Sequence, residues 1–209
     1  LQDHFNTRDD FVKFFEDIDD DDRKNLFLKT AAFYLFLVKK GHLVVDVKGS
    51  NREVDYLTDT YKHIAIFSLM ESLRDETFLE FYDFLKRRKT NVQFPISCRQ
   101  ELDQWHRKYK DEFGSIRQSI RFFKSLNSRR RSELISKIGG SNSNWSIDKI
   151  AKYLYEKRSK FVHEAKLVAD MSGHPTAIFI GEEIVVSSLS IADLSQVFEE
   201  TLISYFKPA

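Results

Sequence analysis

One cysteine, three prolines and seven glycines among 209 residues set the first limits on this chain. Cys98 alone permits no internal disulfide framework and no cysteine-rich zinc site. It fits a reducing compartment, and the expected location is the cytoplasm. So few breakers, with abundant Leu, Phe, Lys and Glu, favour a mainly α fold. No apolar run nears the roughly 20 residues of a membrane span. The longest is AAFYLFLV, Ala31 to Val38, so the chain reads as soluble, with no membrane partner. No signal or transit sequence is visible, and the opening at Leu1 rather than Met is expected of a portion of a longer protein.

A one-signed net charge is also missing: the formal total is +1. It conceals a strong asymmetry. Residues 1–22 hold nine acids against two bases, residues 86–132 hold fourteen bases against four acids, and residues 149–166 hold six bases against two acids. Basic segments of this kind are the electrostatic footprint of a polyanion partner, or else solvated helix faces.

Several catalytic signatures are absent. There is no Gly-rich phosphate loop, no H-E-x-x-H and no G-x-S-x-G. The six histidines (His4, His42, His63, His106, His163 and His174) show no metal-ligand spacing. Neither a metal nor another cofactor is expected.

What is present is a succession of helices. Asn6-Thr7 caps a short amphipathic helix, and Asp19 to Asp22 starts a second, where negative charge complements the dipole. That helix is expected to reach about Lys40 and stop at Gly41. HLVVDV, His42 to Val47, reads as a short strand. The most apolar helix is Val54 to Leu73, and another is expected from Thr77 to about Lys89. Ser97 to Asn127 reads as helix with a weak point at Gly114, and SRRRSELISKI as helical. GGSNSN, Gly139 to Asn144, reads as a loop. Helix Ser146 to Ala165 follows, then a hairpin turning at Gly181-Glu182, then a closing helix from Ser190 to Phe206 with Ser190 as N-cap.

On a helical wheel, Ile147, Ile150, Ala151, Leu154, Phe161, Val162 and Ala165 form one apolar stripe, and Arg158 falls near its middle. A cation there must be paired, must face a cleft or interface, or must snorkel its head to water. Glu71 is the candidate partner, because a carboxylate near the C-terminus of the central helix opposes the dipole unless an arginine meets it. His163 lies about 140° further round, on the polar face with Lys149, Lys152 and Glu156. Arg158 and His163 therefore do not point the same way along an ideal helix.

The stretch Arg158-Ser-Lys-Phe-Val-His163, within LYEKRSKFVHEAKL, resembles the HEPN superfamily, whose signature is Arg, four to six residues, then His near the end of a bundle helix. The surroundings are similar to its Apea-like group, as is YLTDTYKHIAIFSLMESL. The resemblance covers about 35 residues. Ser159 stands where an amide or carboxylate is frequent, and Glu164 where glycine is frequent. A second instance of the spacing, Arg99 to His106, shares a helix face with Leu102, Trp105 and Tyr109.

The resemblance implies a HEPN-like helical bundle over residues 48–209; the small hairpin before the last helix and the N-terminal helical extension, residues 1–47, go beyond a minimal bundle of that family. It implies metal-independent RNA cleavage by 2′-hydroxyl attack on the adjacent phosphate. His163 would then transfer protons and Arg158 hold the phosphoryl oxygens. Ser159 and Lys160 would contact phosphate, Tyr155 would stack or hydrogen-bond, and Glu71 would orient Arg158. Family sites form where two copies of the helix meet, so a homodimer is expected, as a toxin or defence protein with a possible antitoxin. The alternatives are a non-catalytic nucleotide- or RNA-binding or dimerisation module, and a structural helical domain within a larger protein.

Overall fold

The computed structural model describes residues 1–41, 48, 51–73, 79–87, 90–140, 145–164 and 171–207; for Gln2 and residues 51–56 only the backbone is described. The architecture is mainly helical, with one small antiparallel sheet before the last helix.

Local rules explain the first elements. Thr7 caps α1 (Arg8–Glu16) in a reciprocal capping box, its Oγ1 accepting from the Asp10 amide at 3.1 Å and Asp10 accepting from the Thr7 amide at 3.0 Å. Each such cap stabilises a helix by about 1 kcal/mol. Asp20 caps α2 (Asp21–Tyr34), accepting from the Asp22 amide at 2.7 Å. The acidic run is thus a helix start. The chain stays helical to Lys39 but widens into a π turn over Leu35–Lys39. The strand expected over His42 to Val47 lies outside the described residues.

α3 (Asn51–Ser72) is the central helix, with Ile66, Phe67, Leu69 and Met70 all buried. The helix expected from Thr77 to Lys89 is shorter within the described residues: α4 is Phe81–Lys86, preceded by extended backbone at Glu80 and followed by it at Arg87. α5 (Arg99–Phe113) and α6 (Ser115–Lys124) break at Gly114, and Asn127 caps α7 (Ser128–Lys137). α8 (Ile147–Glu164) and α9 (Ile191–Phe206) complete the helices, with Ser190 and Asp193 forming a second capping box.

The expected hairpin is part of a larger sheet. β2 (Thr176–Ile180) and β3 (Glu183–Ser187) pair as expected, but β1 (Ile138–Gly140) adds to the other side of β3, giving the order β1-β3-β2. Gly139 and Gly140 therefore belong to a strand rather than a loop. At Gly140 the bare backbone is required: a Cβ there would collide with the Glu183 carboxylate and come within 2.7 Å of Trp145 Nε1. At the hairpin tip only Gly181 carries a positive φ, +60°, which marks a type II′ turn rather than type I′.

One core unites α2, α3, α6, α8, α9 and the sheet. Phe27 meets Phe206 edge-on at 5.4 Å, Tyr34 stacks on Phe198 at 5.1 Å, and Phe122 stacks on Phe198 at 5.6 Å. The segment set apart in sequence as an N-terminal extension packs into this same core through Ile18, Phe27, Tyr34 and Val38. It is also tied by polar contacts. Buried Glu199 of α9 accepts from Tyr34 Oη at 2.7 Å and Lys39 Nζ at 3.0 Å, and lies 2.7 Å from His4 Nε2. Burial opposes its charge, but those hydrogen bonds outweigh it and hold its pKa below the usual carboxylate value. A separate, smaller cluster joins α4 to α5 through Phe84, Leu85 and Phe113.

Candidate functional site

α3 and α8 pack against each other, and His63 is inserted between them. It is fully buried, and its Nε2–H donates to the Leu154 carbonyl at 3.2 Å. Its Nδ1 lies 3.2 Å from Met171 Sδ, and its ring packs 4.9 Å from Phe67. Burial pushes its pKa down to about 4; the Leu154 bond opposes that shift and the charge of Arg158 adds to it. His63 thus stands neutral, one helical turn below Arg158. Metal-ligand spacing among the histidines carries no trace of this role. The usable signal was its position on the same helix face as Phe67 and Met70.

Arg158 meets Glu71. Nη2 donates to Oε2 at 3.2 Å, and the side chains retain 15% and 19% of their exposure. Nε of Arg158 and Oε1 of Glu71 are buried without a hydrogen bond, so one bond holds a pair whose fork geometry accommodates two. The guanidinium also lies 5.7 Å from the Tyr155 ring centroid, and Tyr155 meets Phe67 edge-on at 6.2 Å. Glu71 occupies the last turn of α3, so the arginine offsets an unfavourable dipole as well as a desolvated charge.

The pair marks a change along α8. Before it, Ile147, Ile150, Ala151 and Leu154 are buried; beyond it, Phe161 is half-buried against Tyr61 at 5.9 Å and Val162 is 48% exposed. The apolar stripe leaves the core at Arg158. His163 is exposed on the last turn, and within one chain it is not brought to Arg158. Ser159 is half-buried and Lys160 exposed. Lys157 is half-buried with its ammonium 5.3 Å from the Tyr153 ring, and its pKa is lowered by burial and then by Lys160. The Tyr153 hydroxyl is buried without a partner and its pKa is pushed up to about 12 by that burial.

The second arginine–histidine pair is not assembled either. Arg99 is exposed and reaches only Asp103, at 3.9 Å. His106 lies two turns on, its ring 5.2 Å from Phe81.

The basic segment is partly neutralised in place. Arg87 pairs with Glu112 at 3.1 Å, Lys124 with Asp148 at 2.8 Å, and Arg130 with Glu133 and Glu200. Arg107, Lys108, Lys110, Arg117 and Arg121, on α5 and α6, have no carboxylate partner among the described residues. No group of three or more His, Cys, Asp or Glu side chains suited to a metal ion occurs among the described residues, and no helix there is long and apolar enough to cross a membrane. Compared with known protein families, curated proteins and solved structures, the chain matches none.

Proposed function

We propose that this chain is a HEPN-type, metal-independent endoribonuclease that works as a homodimer. The observation that carries the reading is the Arg158–Glu71 pair, set where the stripe of α8 leaves the core, one turn before an exposed histidine. An arginine held by a carboxylate at a core margin is oriented without being consumed by packing, and it suits an anionic phosphoryl group. His163, exposed on the last turn of α8, suits proton transfer to and from the ribose 2′-hydroxyl and the leaving 5′-oxygen. Because the two residues diverge in one chain, the reaction needs the α8 of a second copy to complete the cleft. Exposed Val162, one turn beyond Arg158, and exposed Tyr61, which packs on Phe161, would supply apolar surface for that meeting. Ser159 and Lys160 would contact flanking phosphates, and Arg117 and Arg121 would steer the backbone without reading bases.

The role as a toxin or defence protein with an antitoxin partner is part of the same proposal, as is a cytoplasmic site of action. A second reading, a non-catalytic RNA- or nucleotide-binding module, is favoured by one observation: Glu71 already neutralises Arg158. Incubating RNA with the protein in excess EDTA separates the two. Cleavage that disappears in His163→Ala supports the nuclease. Binding without cleavage supports the module, and cleavage unchanged in His163→Ala overturns the assignment of His163.

A further inference from the structure

Among the described residues β2 is an unguarded edge. The strand order leaves one side of it without a partner strand among the described residues. Its sequence, TAIFI, holds no charge and no proline, and its register with β3 runs without a bulge. Those are the devices that ordinarily blunt an edge.

The backbone groups on the open side follow from the register. Ser188 donates its N–H to the Lys137 carbonyl at 2.8 Å, so even-numbered residues of β3 bond towards β1. Its odd-numbered residues therefore bond towards β2, where their partners are Thr176, Ile178 and Ile180. That leaves the N–H and C=O of Ala177 and Phe179 directed at the open edge. The side chains of the same two residues share the outer face with Val186. Phe179 is 76% exposed and Val186 44%.

We propose that β2 pairs antiparallel with β2 of a second copy of this chain, about a two-fold axis beside Ile178. In that register Ala177 lies opposite the partner subunit's Phe179, and both are the outward-bonding residues, so each such pair closes two backbone hydrogen bonds. The side chains match in size: each large ring falls beside a methyl group rather than against another ring. Pro175 occupies the next outward position and has no N–H to leave unpaired. Beyond it, His174 comes opposite the partner subunit's Glu182, and no like charges meet. Two three-stranded sheets join into one, with a continuous apolar outer face. Five residues per copy is a small contact, so the dimer depends on concentration. None of these positions belongs to α3 or α8, and the pairing is independent of the proposed ribonuclease activity.

Sedimentation velocity on the whole chain across a concentration series is expected to show concentration-dependent self-association through β2, which adds to any pairing through α8 and is separated from it by the edge variants. Ala177→Pro removes an edge donor while sparing the β2–β3 bonds, and Phe179→Lys adds charge to the outer face. Each is expected to raise the dimer Kd about tenfold or more, with circular dichroism and thermal midpoint unchanged. For register, in a Cys98→Ser background Ile178→Cys is expected to form an intermolecular disulfide on mild oxidation. Two-fold pairing brings its Cα atoms to about 4.5 Å. Thr176→Cys, whose mate across the axis is residue 180, is expected not to. A chain that stays monomeric at every concentration overturns the proposal. So does a dimer untouched by both edge variants, or cross-linking of Thr176→Cys as strong as that of Ile178→Cys.

Discussion

Two arginine–histidine pairs, five and seven residues apart and both within the family's spacing, sit on two helices of this protein in very different surroundings. On α8, Arg158 is largely buried, held by Glu71 and backed by Tyr155 and the neutral His63. On α5, the Arg99 side chain is 92% exposed and reaches only a neighbour on its own helix. His106 packs against the satellite cluster rather than the main core. Spacing along a helix is therefore nearly uninformative; what distinguishes the pairs is whether another helix brings a carboxylate to the arginine.

The sharpest way to break that comparison is catalytic. With RNA as substrate in excess EDTA, His163→Ala is expected to lower the cleavage rate by about 10²–10⁴-fold, and His106→Ala to leave it unchanged. Gel-resolved time courses of both variants decide between them. Next comes stability. Arg158→Ala strands Glu71 in a desolvated site and is expected to cost about 3 kcal/mol in urea unfolding, less than for a fully buried pair because both side chains keep some exposure. Arg99→Ala should lie within about 0.5 kcal/mol of wild type.

Acid provides a third contrast. The folded pKa of His63, about 4, lies below its ordinary 6.5, so the unfolded chain binds the proton more readily. The stability it contributes is complete above 6.5 and drains away as pH falls towards 4. The loss should reach about 2 kcal/mol by roughly pH 5. His63→Met should flatten that slope in a series of urea midpoints, whereas His106→Met should not. The smallest effect concerns the uncommitted cations. Arg117→Ala and Arg121→Ala should each weaken RNA binding a few-fold at low salt and reduce its salt dependence by about one counterion. Arg129→Ala, already paired with Glu133 at 3.0 Å, should change it less.

Helix identity was legible from sequence because it depends on neighbours in the chain. Thr7 with Asp10 and Ser190 with Asp193 are three residues apart, and the stripe of α8 repeats every turn. The Arg158–Glu71 contact could be anticipated for a related reason: both residues violate a local rule, one by lying on an apolar face and one by opposing a dipole, and each relieves the other. The role of β1 could not. Gly139-Gly140 carries every mark of a loop, and only the nearness of Glu183 and Trp145 explains why a bare backbone is needed at Gly140. Nor could the fate of the basic segment be read. Lys124 finds Asp148 and Arg130 finds Glu200, acids far along the chain that no local count of charge includes.

By itself, then, the sequence determined where helices begin, which face each one buries, and that Arg158 required a partner. These follow from caps, periodicity and the cost of burying charge, all set within a few residues. Only the tertiary structure decided that Glu71, the candidate in sequence, meets Arg158 through a single hydrogen bond and that His63 is locked neutral against α8. It also decided that the stripe of α8 leaves the core at Arg158 and that β2 is left as an edge among the described residues. Such outcomes depend on which surfaces meet at long range, where a few ångströms separate a hydrogen-bonded pair from two exposed side chains.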